Sequence, residues 1–259
     1  MSRKVVLSVA AHGDDAEFMA GGTLAKLAAE GHAVYLCVAT DNERGSLRLS
    51  APDLLQRARP EIAAAGQALG AKGVFPLGFS DGMLCDAKPS NLRGAVMKVI
   101  RQVKADIIFS WDPFAPFEDH PDHRVLALAT SDAATFAHFP LYHPEQLSQK
   151  ITPHRVSEWY WYSKARWQTN QLMDISGFMD QKLAALYAYD CQMVLTVDDF
   201  LGEARAAGLD EDKLAGIDPL DYRPWIDRAI RARAAKLGEE VGVKYAEAFR
   251  YQKLEAPEL

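Results

Sequence analysis

An α/β fold built on a doubly wound, mostly parallel, Rossmann-like sheet is what this sequence predicts, with helices on both faces and a helical C-terminal portion. Three observations carry the expectation. Apolar, β-branched runs such as "KVVLSVA" (4–10) and "AVYLCVAT" (33–40) lack polar alternation, as strands covered on both faces require. Amphipathic stretches of helical period separate such runs, so strand, helix and strand recur along the chain. Clusters of His and Asp fall where the strands end rather than inside them.

The elements follow in order. "GTLAKLAAEG" (22–31) is a helix closing on Gly31, a natural C-cap, and completes a βαβ unit whose crossover should be right-handed. "LLQRARPEIAAAGQALG" (54–70) has helical period, with Pro60 expected to break it, kink it or begin its second half. "GVFPLG" (73–78) is a short strand, "NLRGAVMKVIRQVKA" (91–105) a helix, "DIIFSW" (106–111) a further buried strand and "HRVLALATSDAATFA" (123–137) the helix after it. "VSEWYWYSK" (156–164) alternates and is aromatic, which suggests a strand closer to a sheet edge. "GFMDQKLAALYAYDCQ" (177–192) and "WIDRAIRARAAKLGEEVG" (225–242) are amphipathic helices. With no internal repeat or low-complexity linker, one domain over 1–259 is expected, its α/β core at about 1–165 and a mainly helical portion at about 166–259.

Composition narrows the function classes. A net charge of -6 argues against nucleic-acid binding, which needs clustered Lys and Arg against phosphate. No apolar run approaches the ~20 residues of a membrane span, and "MSRKVVLSVAAHGDD" meets Asp too soon for a signal-peptide core. Cys37, Cys85 and Cys191 are odd in number and widely spaced in apolar contexts, as expected of reduced, buried thiols. The expectation is a cytoplasmic protein acting on a small molecule, with neither nucleic acid nor membrane as partner; a homo-oligomer is compatible with all of this.

Ligands of open parallel sheets gather at the carboxyl ends of strands, where "AHGDD" (11–15) stands. The stretch lacks G-x-G-x-x-G spacing and its paired carboxylates would repel phosphate, so a cation is favoured over a nucleotide. His12 and Asp15 offer one nitrogen and one oxygen of the kind zinc accepts, and a catalytic zinc usually has three protein ligands. "HPDH" (120–123), opening a helix after another buried strand, supplies candidates for the third: His120 and His123 share a helix face, with Pro121 near the first helical position. Each motif alone is equally a helix cap or a pair of surface histidines. Their joint placement at the ends of two parallel strands points to metal.

The residues resemble the LmbE/PIG-L-like deacetylases. "VAAHGDDAEFMAGGTLAKLAAEGH" resembles that family's A-H-P-D-D-x-E segment and G-G-T helix, "TDNERGS" (40–46) its T-x-G-E-x-G turn, and "RARPEIAAAGQALGAKGVFPLGFSDG" its R-x-x-E to D-G stretch. "HPDH" resembles its second metal motif, "DISGFMDQKLAALYAYDCQ" a later K-x-x-A-L-x-x-H-x-S-Q element and "YAEAFR" the terminal A-E-x-F, so the likeness covers nearly the whole chain. It implies hydrolysis of an N-acetyl group on an N-acetylglucosamine-type amino sugar or conjugate, with one Zn2+ per chain, although iron or nickel also accept such donors. It further implies that His12, Asp15 and His123 bind the metal, that Asp14 is the general base, that His120 polarises the carbonyl or stabilises the oxyanion, and that Asp122 orients a histidine.

Substrate contacts are expected from Arg57 or Arg59, Asp81 and Glu43, each with a plain alternative as a solvated, turn-forming or capping residue. The aromatic run 159–162 is a sugar-stacking wall or part of the core. His32, His138, His143 and His154 lack partners at telling spacing and read as structural. The chain departs from the family pattern at Gly13 (a usual Pro), Asn42 (a usual Gly), Tyr189 (a usual His) and Cys191 (a usual Ser). These departures leave room for two other readings: a metal-dependent hydratase acting on an unsaturated oxo acid, or a non-catalytic metal- or sugar-binding module. The spare carboxylate of Asp14 argues against the second.

Overall fold

A computed structural model describes residues 3–255. The chain alternates as β1 (Val5–Ala10), α1 (Asp15–Ala29), β2 (Ala33–Thr40), α2 (Ala51–Ala68), β3 (Gly73–Phe79), α3 (Pro89–Val103), β4 (Ile107–Trp111), α4 (Pro121–Phe136) and β5 (Glu158–Tyr162). It continues through β6 (Gln171–Asp174), α5 (Met179–Leu186), α6 (Asp190–Ala206), α7 (Glu211–Leu214), α8 (Arg223–Glu239) and β7 (Ala246–Lys253). The seven strands form one sheet in the order β3-β2-β1-β4-β5-β7-β6. β1 to β5 run parallel, while β7 pairs antiparallel with both β5 and β6.

Successive residues of β1 explain the winding. Val6 and Ala10 join an apolar cluster with Leu24 of α1 and Ile62 of α2. Leu7 and Val9 join another with Met97 of α3 and Leu126 of α4. Side chains alternate along a strand, so β1, apolar on both faces apart from Ser8, requires cover on both. The order reverses between β1 and β4, which pair directly (Val9 opposite Ser110). Their carboxyl ends therefore open into one crevice.

Four expectations need correction. The aromatic strand β5 is not near an edge: β4 and β7 pair with its two sides, because the chain's last segment returns to the sheet as β7 and brings β6 with it. The portion after residue 165 is mainly helical and contributes β6 and β7 as well, but its first long helix is divided, α5 ending at Leu186 and α6 starting at Asp190. Cys85 is exposed, whereas Cys37 and Cys191 are buried free thiols. Pro60 neither breaks nor restarts α2, which runs through it. Leu54 and Ala58 before it and Ile62 and Ala65 after it bury on one stripe, so packing overrides the local penalty. Edge strand β3 accommodates Pro76, as proline in a sheet requires.

The buried pair Lys182–Glu247 ties the C-terminal elements to α1. Glu247 Oε1 accepts from Gly22 N at 2.9 Å and Lys182 Nζ at 2.5 Å; Oε2 accepts from Thr23 N at 2.8 Å and Thr23 Oγ1 at 2.6 Å. Lys182 Nζ also donates to Phe18 O at 2.7 Å. Gly22 permits the approach, since a Cβ there would meet Ile175 at 2.7 Å. The Gly-Gly-Thr of α1, the lysine of α5 and the glutamate of β7 therefore form one interior joint.

Candidate metal centre and active site

The turn after β1 is built to present His12, Asp14 and Asp15 together. Asn42 brackets Gly13, its Oδ1 accepting from Gly13 N and its Nδ2 donating to Gly13 O, each at 2.9 Å. Asn42 has φ 52°, a left-handed conformation that asparagine tolerates better than most residues. Asp14 sits at φ 107°, at the start of α1, a costly geometry for a non-glycine residue that holds its carboxylate towards the cleft.

Asp15 is held by one oxygen. Its Oδ2 accepts from Ala11 N, His12 N and Trp111 Nε1, all at 3.0 Å, which leaves Oδ1 facing His123 Nε2 at 3.2 Å. His12 Nδ1 stands 3.2 Å from His123 Nε2 and 3.7 Å from Asp15 Oδ2. His123 is fixed from behind: Trp111 stacks on its ring at 4.0 Å, and Glu118 Oε1 lies 3.0 Å from Nδ1. The Glu118 contact selects the tautomer with the proton on Nδ1 and turns the Nε2 lone pair to the cluster.

Behind His12, Nε2 faces Asp81 Oδ1 at 3.1 Å and Asp122 Oδ2 at 3.4 Å. The angles are not those of hydrogen bonds, so Nε2 is bracketed electrostatically rather than bonded. Asp122, fully buried, accepts from Gly82 N at 2.7 Å and Leu84 N at 3.1 Å. His120 caps α4, Nδ1 accepting from Asp122 N at 3.2 Å, so the neutral ring carries its proton on Nε2. Ring nitrogens of His12, His120 and His123 lie within 4.8 Å of one another, as do ligand atoms of His12, Asp81 and Asp122. The second set gathers at His12 Nε2, on the far side of the ring from Nδ1.

The charge pattern follows. Burial opposes the charge on His12, but Asp122, Asp15 and Asp81 outweigh it and raise the pKa well above 6.5. His123 rises to about 9 in the same contest, with burial opposed by Asp15 and Glu118. Asp15 is held well below the ordinary range because the histidines outweigh its burial. Asp14 moves the other way: burial and then the neighbouring Asp15 raise it well above 3.8. Burial, then His12 and His123, lower His120. Two adjacent carboxylates are thereby driven apart, one a fixed anion and the other a proton acceptor.

Two imidazole nitrogens and a carboxylate oxygen converging from separate strand ends, with further carboxylates behind them, fit a borderline divalent cation. A cleft of about 830 Å³ lies in front, lined by Asp14, His120, Asn42, Arg44, Phe200 and Trp225 among others. Sequence reasoning missed several of its parts. Glu118 and Trp111 position His123, and the acid-rich "FEDHPDH" was the available signal for Glu118. The wall from α6 and α8, including Phe200 and Trp225, had no motif to announce it.

The expected substrate residues fare unevenly. Asp81 lines the cleft, but its oxygens face His12 and accept from Arg44 N. Glu43 Oε1 holds the 80–81 turn through Ser80 Oγ and Asp81 N. Arg57 points to Cys191 Sγ at 3.7 Å and Asp190, and Arg59 to Asp41; neither lines the cleft. Tyr160 stacks within the core on Phe109, so the 159–162 run is not a wall of this cleft.

Fold and site together define an open parallel-sheet α/β protein with a His/Asp metal-type cluster at its switch point. The chain belongs to the PIG-L family of metal-dependent deacetylases: the family model described as GlcNAc-PI de-N-acetylase matches residues 7–134. It is 30% identical to the diacetylchitobiose deacetylase of Thermococcus kodakarensis over 191 residues, 73% of this chain and 70% of that protein. Its fold matches the N,N'-diacetylchitobiose deacetylase of Pyrococcus horikoshii with a TM-score of 0.79 at 26% identity, covering 96% of this chain and 84% of that one. The 4-carboxy-2-hydroxymuconate hydratase of Pseudomonas putida shares the fold at TM-score 0.70 and 20% identity, covering 99% of each chain. No helix among the described residues is long and apolar enough to cross a membrane.

Proposed function

We infer that the protein is a zinc-dependent N-deacetylase that removes an acetyl group from an N-acetylglucosamine-type amino sugar or conjugate. The observation that carries this reading is the convergence of His12 Nδ1, Asp15 and His123 Nε2 on one point in the wall of the cleft, beside Asp14. His12, Asp15 and His123 hold the zinc. When bound there, zinc supplies a Lewis acid and a water acidic enough to deprotonate near neutral pH.

The rest of the chemistry falls to the chain. Asp14 takes a proton from the attacking water, and its burial makes it a stronger base than an exposed aspartate. As the adduct collapses the C–N bond breaks, and Asp14 or His120 returns a proton to the departing amine. His120, neutral and protonated on Nε2, donates to the carbonyl oxygen as negative charge develops there, a contact worth about 3 kcal/mol in comparable sites. Asp122, Asp81 and Glu118 orient the two ligand histidines from behind. The cleft exceeds the size of one sugar ring, consistent with a disaccharide or a conjugate.

Elemental analysis of the purified protein, followed by acetate and amine release from N-acetylglucosamine and N,N'-diacetylchitobiose, tests the reading. Stoichiometric zinc with acetate release is expected. Hydration of an unsaturated oxo acid without acetate release from any N-acetyl sugar overturns it.

A further inference from the structure

Beside the cleft lies a second chamber of about 200 Å³ between α1, α8 and β7. Phe18, Met19, Lys164 and Arg233 line both spaces, so the two adjoin across these side chains. Most of the chamber's charged groups are already paired: Lys164 with Glu118 and Asp119, Arg166 with Glu240, Lys182 with Glu247, and Arg250 with Asp112. Arg233 and Lys236 are not. They stand one turn apart on α8, and among the described residues neither has a carboxylate within ion-pair distance. The side-chain hydrogen bond of Arg233 runs from Nη2 to the sulfur of Met19 at 3.9 Å, a weak acceptor for a group with five donors.

Arg233 is an exposed residue overall, yet the atoms packed around its head depress its pKa through desolvation, with Glu247 acting in the opposite sense. Such a guanidinium lacks a planar, two-oxygen acceptor, the geometry it matches best.

We propose that this chamber binds the carboxylate or phosphate group of an acidic ligand, gripped by Arg233 with Lys236 beside it. Because the chamber adjoins the cleft, the anion belongs either to the substrate itself or to a free anion bound next to it. The substrate arm rests on the deacetylase reading; the binding arm does not.

The test uses the full-length, zinc-loaded protein. Inorganic phosphate is titrated by calorimetry and by the fluorescence of Trp161, which lines the chamber. Arg233→Met should weaken binding about tenfold or more, and Arg233→Lys, which keeps the charge but loses the fork, should fall between. Lys236→Met, at an exposed position, gives a second reading if Arg233→Met does not fold. Absence of binding, or binding undiminished in Arg233→Met and Lys236→Met, overturns the proposal. The second arm compares kcat/KM for N-acetylglucosamine 6-phosphate and N-acetylglucosamine. A preference for the phosphorylated sugar that Arg233→Met erases assigns the anion to the substrate; phosphate binding without that preference assigns it to a free anion. Failure of every N-acetyl sugar to release acetate counts against the deacetylase reading and leaves the binding arm standing.

Discussion

Asp122→Asn tests whether the groups behind His12 govern the metal site. The carboxylate serves three directions: Oδ1 accepts from Leu84 N, while Oδ2 accepts from Gly82 N and faces His12 Nε2 at 3.4 Å. An asparagine has one oxygen for these donors, so either flip sets its NH₂ against a buried N–H. The orphaned donor costs about 1–3 kcal/mol of stability. Burial alone would raise the Asp122 pKa, yet His12 and the two amides hold it below 3.8, so the site is selective for the ionised form. Loss of a carboxylate behind a ligand histidine typically weakens metal binding about 10- to 100-fold. Asp81 still faces His12 at 3.1 Å, which places the single variant near the lower end and the Asp81→Asn/Asp122→Asn double near the upper. Competition for zinc against a chromophoric chelator gives the affinities, and urea unfolding of the metal-free variants gives the stability. A double variant whose zinc affinity stays within about twofold of the parent refutes the argument. A rise in KM at unchanged zinc affinity in Asp81→Asn would instead return Asp81 to a substrate role.

Asp14→Ala should keep its zinc and lose about 10²- to 10⁴-fold in kcat, the usual scale of general-base catalysis; steady-state kinetics with metal analysis checks both, and full turnover removes Asp14 from the mechanism. Metal-free protein should lose stability as pH rises from 6.5 through about 9. His123 binds its proton more tightly when folded, so its contribution is fully present below the unfolded pKa and gone above the folded one, about 3 kcal/mol in all. Urea unfolding in chelator across that range reads it, and the zinc-loaded protein, whose ligand imidazole is neutral, should lack the trend. Glu247→Gln should destabilise by about 3–5 kcal/mol, because Lys182 is left as an uncompensated buried charge. A Glu247→Gln/Lys182→Met double that recovers part of the loss, by thermal denaturation, is the expected companion.

Among the family departures, Gly13, Asn42 and Tyr189 meet in one place, which no one of them announced. A Cβ on Gly13 would come within 2.7 Å of Tyr189 Cε1, and the Gly13 amide that asparagine binds would be missing from a proline. Tyr189 in turn donates to buried Glu17 at 3.2 Å. A larger residue in the place of the family's usual histidine is therefore accommodated by a smaller one in the turn, and the candidate ligands His12 and Asp15 are left in place. Cys191 lines a small cavity with Asn42 and Tyr189 and faces Arg57 through its sulfur.

Local chemistry was enough to mark β1, β2 and β4 as buried strands and to put "AHGDD" and "HPDH" at their ends, because apolar period and polar interruption are written residue by residue. The identity of the ligand candidates followed from side-chain chemistry in the same way. What the linear order did not contain was the return of β7 beside β5, the Glu118 and Trp111 support of His123, or the arrival of α6 and α8 at the cleft. These depend on contacts between residues far apart in the chain, where partner choice is decided by which apolar faces remain to be covered once the parallel core has formed. The same rule separates the arginines, all three of them exposed: Arg57 and Arg59 had motif context but line neither the cleft nor the chamber, whereas Arg233 had none and was carried to the wall of both by the packing of α8 on β7.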